Sequence, residues 1–249
     1  MRILLLLFIS VVSLKADVSS LRVPDGGISP QCQTDAKGTT HMIYYKGSPE
    51  SGDIFYTTRK SGARDFAPSV RVNSLAGSAV AMGTIRAAQM ALGKDNSVHV
   101  VWNGSQKAKG LFLYSKSLGN GKFSDQQDIS GSTAHIDGGG SVAANDKGMV
   151  YIVWHANKKG TTGEENRRVF VASSANNGES FEKEKEASPD DLGICPCCSL
   201  KAFAKGNELT VLFRGAKGLN RDVYQILSTN NANSFKSKNI SKWRAQQCP

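Results

Sequence analysis

After residue 20 this chain of 249 residues contains no apolar run near membrane-spanning length, and no stretch in which apolar side chains recur at helical spacing. The first absence excludes a helical transmembrane segment in the mature chain, and the second excludes a helical bundle. Histidine is scarce at 4 residues, none close in sequence to the cluster Cys195-Pro196-Cys197-Cys198, whose spacing matches no zinc pattern. No metal and no cofactor is expected. Acidic residues are outnumbered, 21 against 31 Lys and Arg, for a formal charge of +10. The basic residues are scattered through turns, with no aromatic-interleaved stripe and no binding motif, so nucleic acid is not an expected partner. A basic extracellular protein suits acidic glycans or an anionic cell surface better.

What the chain has instead is a repeat. Four short apolar runs end in an aromatic: Thr40–Tyr44, Val98–Trp102, Val150–Trp154 and Leu209–Phe213. Their aromatic ends lie 58, 52 and 59 residues apart. A second run follows each one: Asp53–Tyr56, Leu111–Tyr114, Val169–Val171 and Val223–Ile226. A Ser/Asn/Gly-rich turn then closes on Phe66, Phe123, Phe181 or Phe235. Short runs dense in β-branched and aromatic residues, bounded by Gly, Asn and Asp, read as strands. The 25 glycines punctuate the chain too often for long helices. A strand repeat of this period predicts an all-β fold, a β-propeller of four-stranded antiparallel blades. The blades are expected at about 28–75, 84–131, 135–188 and 195–242.

The third and fourth closing turns read Ser174-Ala-Asn176-Asn-Gly178-Glu-Ser180-Phe181 and Ser228-Thr-Asn230-Asn-Ala232-Asn-Ser234-Phe235. They resemble the Asp box (BNR repeat) of the sialidase, or neuraminidase, superfamily, Ser-x-Asp-x-Gly-x-Thr-Trp, with Asn for Asp and Phe for Trp. An Asn oxygen can still accept backbone N–H groups across the turn, and Gly178 can take a positive φ. Ala232 fits that position less well and predicts a distorted turn. The box marks a blade and is not itself catalytic. The resemblance implies a ring of six blades, about 120 residues more than the four repeats supply. Gln247-Cys248-Pro249 reads as the opening of a fifth repeat. The expectation is a truncated six-bladed propeller with an unpaired sheet face, and the alternative is a true four-bladed ring.

The first 16 residues are expected to be a signal peptide: Met1-Arg2 is positive, Ile3 to Leu14 is apolar, and Ala16 sits at the cleavage position. Residues 17–249 then form one secreted or periplasmic domain, and its charge falls to +8 as Arg2 and Lys15 leave. That compartment favours disulfides for Cys32, Cys195, Cys197, Cys198 and Cys248, including a vicinal Cys197–Cys198 bond.

The resemblance also implies chemistry. Sialidases hold the substrate carboxylate with three arginines, use an Asp as acid/base, and attack with a Tyr whose basicity a Glu raises. A guanidinium pairs bidentately with a carboxylate, so three of them pin an anionic sugar. Arg86, Arg168, Arg214 and Arg221 could supply the arginines, Asp137 or Asp53 the acid, and Glu164 or Glu165 the helper. His155 joins them because the residue after each aromatic strand end varies between repeats: Tyr45, Asn103, His155 and Arg214. The family's Arg-Ile-Pro motif has its nearest match in Arg22-Val-Pro24, upstream of the expected place, and the nucleophilic Tyr has no placed counterpart.

The resulting reading is a secreted sialidase-like propeller that acts on or binds glycans, as an exo-sialidase-type hydrolase of acidic sugars. The alternative is a non-catalytic extracellular module that binds carbohydrate or protein. What discriminates them is whether Arg86, Arg168 and Arg214 converge beside an acid. A third class, copper or redox handling, would need Cys195, Cys197 and Cys198 reduced and clustered.

Overall fold

The computed structural model describes residues 20–83 and 86–245; the expected signal peptide and Cys248 lie outside the described residues. The chain is all-β, with four antiparallel blades arranged as a propeller. The first blade comprises β1 (Ile28–Thr34), β2 (Thr40–Ser48), β3 (Ser51–Arg59) and β4 (Val70–Arg71). The second has β5 (Gln89–Leu92), β6 (Val98–Asn103), β7 (Phe112–Gly119) and an outer edge split into β8 (Lys122–Phe123) and β9 (Gln127–Asp128). In the third, β10 (Thr133–Ala134) and β11 (Ser141–Ala144) share the partner β12 (Val150–Lys158), followed by β13 (Arg167–Ser174) and β14 (Lys185–Glu186). The fourth repeats that plan with β15 (Gly193–Ile194), β16 (Lys201–Lys205), β17 (Glu208–Ala216), β18 (Val223–Ser228) and β19 (Lys236–Ser241). Each interrupted strand occupies one of four positions, so every blade is four-stranded in plan.

The apolar runs are continuous because both faces of a middle strand are covered. Side chains alternate across a strand. In β6, Val98, Val100 and Trp102 therefore face the first blade, while Val101 faces the third together with Phe112 and Tyr114. The same alternation builds three apolar cores, between blades one and two, two and three, and three and four. The outer face of blade one stacks Tyr44 on Phe55, and the segment before β1 covers it. Gly27 lies so close to the Tyr44 ring that any side chain there would overlap it, and the Tyr44 hydroxyl donates to Asp25 at 3.1 Å.

The inner strands β1, β5, β11 and β16 are tied side by side by polar side chains. Gln33 Nε2 donates to the Met90 carbonyl at 3.1 Å, and the Leu92 N–H donates back to Gln33 Oε1 at 3.0 Å. Between blades three and four the Ala202 N–H meets Ser141 Oγ at 3.1 Å. Lys201 reaches across to Gln89, joining blade four to blade two. Where the inner strands end, Asp35, Asn96, Asp146 and Lys205 help line a shared cavity of about 420 Å³.

The closing turns clamp each blade to the one before. Phe123 meets Tyr56 edge-on at 5.4 Å, Phe181 meets Tyr114 at 4.9 Å, and Phe235 packs on the core between blades three and four. The two Asn turns have one geometry. Ser180 N–H donates to Asn176 Oδ1 at 3.1 Å, and Ser234 N–H donates to Asn230 Oδ1 at 3.0 Å. Gly178 N–H reaches Ser174 Oγ at 2.9 Å, and Ala232 N–H reaches Ser228 Oγ at 3.0 Å. The expected distortion at Ala232 is therefore absent. Its φ of +61 costs roughly 1–2 kcal/mol for a non-glycine residue, and two turn-spanning hydrogen bonds together with a buried methyl offset that cost.

Candidate functional site

The inner strands all begin at one end of the axis, and the segments leading into them carry the polar residues that vary between repeats. Arg86 precedes β5, Asp137 precedes β11, and Cys195 to Cys198 precede β16. Gly138, with φ +65, lets these segments meet: a Cβ there would lie 2.6 Å from the His155 ring and 2.7 Å from the Pro196 carbonyl.

Arg86 and Asp137 form an ion pair, each about one-third exposed. Burial by itself would raise the Asp137 carboxyl. The Arg86 hydrogen bond, the Gly138 N–H and the charges of Arg86 and Arg167 outweigh burial and hold it below the usual range. A pair this exposed is worth at most about 1 kcal/mol, so a competing anion can open it at little cost. Two clefts of about 380 Å³ each adjoin the pair, and Ile136 lines both. Glu50, Arg86 and Asn103 line the first; Asp137, Asn157 and Arg167 line the second.

Arg167 is the residue that sequence reasoning passed over in favour of its neighbour Arg168. Arg167 is buried and donates from Nη1 to the His135 carbonyl at 3.0 Å, while its Nε has no partner among the described residues. Burial lowers its pKa against the opposing charges of Asp137 and Glu164. Register explains the choice. Asn157 pairs with Arg167 and His155 with Val169, so these four share one face of the blade, and Arg168 points to the other.

The remaining expected site residues have separate partners. Arg168 Nε lies 3.2 Å from Glu186, and its other nitrogens donate to the carbonyls of Glu165 and Asp190. Arg221 pairs with Glu164 at 2.9 Å. Arg214 stacks 3.7 Å over Trp243 and donates to Cys198 Sγ at 3.0 Å. Asp53 accepts from Asn73 Nδ2 at 2.7 Å and from the Gly77 N–H at 2.8 Å, bracing the loop between blades one and two. The guanidiniums of Arg86, Arg168 and Arg214 thus serve three different partners. His155 is 1% exposed, and burial followed by the Arg167 charge pushes its pKa down to about 4.

Of the cysteines, Cys32 is an exposed free thiol, and Cys197 is disulfide-bonded. Cys198 is also a free thiol and does not bridge to Cys197. The sulfurs of Cys195, Cys197 and Cys198 lie within 4.8 Å of one another.

No family pattern matches the sequence, and no curated protein matches it either. Solved structures do resemble the fold. An α-L-arabinanase from Penicillium chrysogenum, complexed with arabinobiose, aligns at a TM-score of 0.55 and 9% identity over 88% of this chain and 67% of its own. The polysaccharide lyase Uly1 aligns at 0.53 and 8% identity, over 87% of this chain and 50% of its own. The NanB sialidase of Streptococcus pneumoniae aligns at 0.49 and 14% identity, over 87% of this chain and 29% of its own. The chain thus spans from under a third to two thirds of the proteins it resembles. Identities this low establish the propeller fold and nothing finer, and propellers host many chemistries. Among the described residues no helix is long and apolar enough to cross a membrane.

Proposed function

We propose that this protein is a secreted propeller that binds an anionic saccharide at the end of the axis where the inner strands begin, with the ligand carboxylate seated by Arg86 and Arg167 beside Asp137. The observation that carries this reading is Arg167, a buried guanidinium lining a cleft with an unpartnered Nε and two carboxylates nearby. Arg86 is held only by a solvent-exposed pair, so a carboxylate that replaces Asp137 gains a bidentate partner and displaces a weak one. The resemblance of the Asn turns to Asp boxes, and the glycan-active enzymes that share the fold, support a sugar rather than another anion as ligand.

Hydrolysis is the second reading. Asp137 and Glu164 both act on Arg167, so two carboxyl groups stand near one cleft, the basic equipment for glycoside cleavage. Against it, a general acid needs a raised pKa, and Asp137 has a lowered one. Sialyllactose and neutral lactose, titrated calorimetrically and followed for release of sialic acid, separate the readings. Binding predicts a preference of at least tenfold for sialyllactose, lost in Arg86→Ala and increased in Asp137→Asn, which frees Arg86. Turnover abolished by Asp137→Asn would establish the hydrolase reading instead. Equal affinity for the two sugars, or none for either, overturns the proposal.

A further inference from the structure

We infer that Cys195, Cys197 and Cys198 form a three-thiolate binding site for a thiophilic d10 cation, Zn²⁺ in the first place, that opens when the disulfide at Cys197 is reduced. This inference is independent of the saccharide site.

The sulfur geometry is nearly that of a metal shell. Thiolates about 2.3 Å from a tetrahedral zinc stand about 3.8 Å apart. Cys195 Sγ lies 3.9 Å from Cys198 Sγ and 3.1 Å from Cys197 Sγ, and all three fall within 4.8 Å. Side-chain rotation alone can therefore complete three corners.

The fourth corner is left to water or an exogenous ligand, because among the described residues no histidine or carboxylate joins the sulfur cluster. The Cε1–Nε2 edge of His155 and the Pro196 carbonyl both close on Gly138, so the imidazole packs near the cysteine loop without joining the sulfur cluster. The ring is 1% exposed, and neither nitrogen has a well-formed hydrogen bond, with only the Cys198 backbone offering a weak one.

Charge also balances. Three thiolates and Zn²⁺ carry a net charge of −1, and Arg214 supplies the compensating +1. Its Nη1 already donates to Cys198 Sγ at 3.0 Å, the outer-shell contact that orients a thiolate ligand, and Trp243 holds the guanidinium by stacking.

While Cys197 is in a disulfide it has no thiolate to offer. A dithiol reductant transfers two electrons and two protons, the S–S bond breaks into two thiols, and the reductant leaves as its own disulfide. The metal then displaces the thiol protons to solvent. Disulfide and metal exclude one another.

The test is to reduce the full chain with a phosphine, desalt it under nitrogen, and titrate it with Co²⁺ and then Zn²⁺. The expected result is one equivalent of cobalt with a thiolate-to-metal charge-transfer band and the visible bands of a tetrahedral site, bleached by zinc. Cys198→Ser should weaken zinc binding at least tenfold, and Cys32→Ser should leave it unchanged. A second measurement needs no variant: zinc should protect the three clustered cysteines of the reduced wild type from N-ethylmaleimide while Cys32 labels at its original rate, mapped by mass spectrometry. A reduced chain without the charge-transfer band, unprotected cysteines, equal binding by the unreduced chain, or unchanged binding in Cys198→Ser would each overturn the inference.

Discussion

His99 Nδ1 lies 2.7 Å from the hydroxyl of Tyr114, a buried pair repeated one blade earlier by His41 and Tyr56 at 2.6 Å. Burial, reinforced by the Lys116 charge, pushes the His99 pKa down to about 4, as burial also does for His155. Below the ordinary histidine value of 6.5 the unfolded chain takes up protons that the native chain refuses until about pH 4. The histidine contribution to stability is therefore full above pH 6.5 and is lost as pH drops through that window, and carboxyls held below their usual range, Asp137 among them, add a further loss at lower pH. Each histidine contributes at most about 3 kcal/mol of this loss. Urea midpoints at pH 7 and pH 4.5 measure it. His99→Gln should flatten the dependence by about half, and identical midpoints would refute the assignment.

Gly178 and Ala232 occupy equivalent turn positions, yet they differ in what they tolerate. Ala232 packs its methyl into the core between blades three and four, whereas a methyl on Gly178 would run into the Tyr114 hydroxyl. Gly178→Ala should cost about 2–4 kcal/mol from the clash and the left-handed backbone together. Ala232→Gly should stay within about 1 kcal/mol, since relieved strain and lost burial oppose each other. Thermal unfolding of both variants checks the contrast.

Trp154 is fully buried between Phe112 and Phe170, with Nε1 donating to Thr133 Oγ1 at 3.2 Å. Trp154→Phe should cost about 1–3 kcal/mol, through the lost indole hydrogen bond and the lost volume, while the Thr133 hydroxyl keeps its donation to the Ser130 carbonyl at 2.6 Å. Trp154→Ala should approach 5 kcal/mol. Chemical denaturation measures both, and a smaller loss for the alanine variant would mean that the blades close over the space.

Arg167 and Arg168 are adjacent in sequence and opposite in consequence. Arg167→Gln should reduce sialyllactose affinity at least tenfold, because the side chain lines a cleft, and lower stability by about 1 kcal/mol through its lost bond to the His135 carbonyl. Arg168→Gln should leave affinity within about twofold and lower stability by about 1–3 kcal/mol, since it breaks the buried contact with Glu186. Calorimetry and denaturation on the two variants would reverse the assignment if the effects were exchanged.

The strands were legible in the sequence because burying both faces of a blade demands continuous apolar runs, as in Val150 to Trp154, and because polar turns bound them. The end of the axis that carries the polar residues was legible too, through repeat positions that fail to match, such as Arg86, Asp137 and His155. The partner of each arginine was not. Arg214 finds Trp243 and Cys198, and Arg221 finds Glu164, through contacts between segments distant in sequence, which no local pattern encodes. Strand parity could have separated Arg167 from Arg168, since the alternation running through His155 and Val169 already assigns one face. The approach of His155 to the cysteine loop depends on Gly138 and could not have been found by spacing alone.

The closing turns of blades two to four reach backwards: Phe123 to Tyr56, Phe181 to Tyr114, and the turn at Asn231 to Tyr151. A ribosome delivers the chain in that same direction, so every clamp emerges after the surface it grips has been made. No blade has to wait, half-covered, for a later turn to hold it to its predecessor. Assembly can proceed as a vectorial zipper during synthesis, and the newest blade is always the one with an open face.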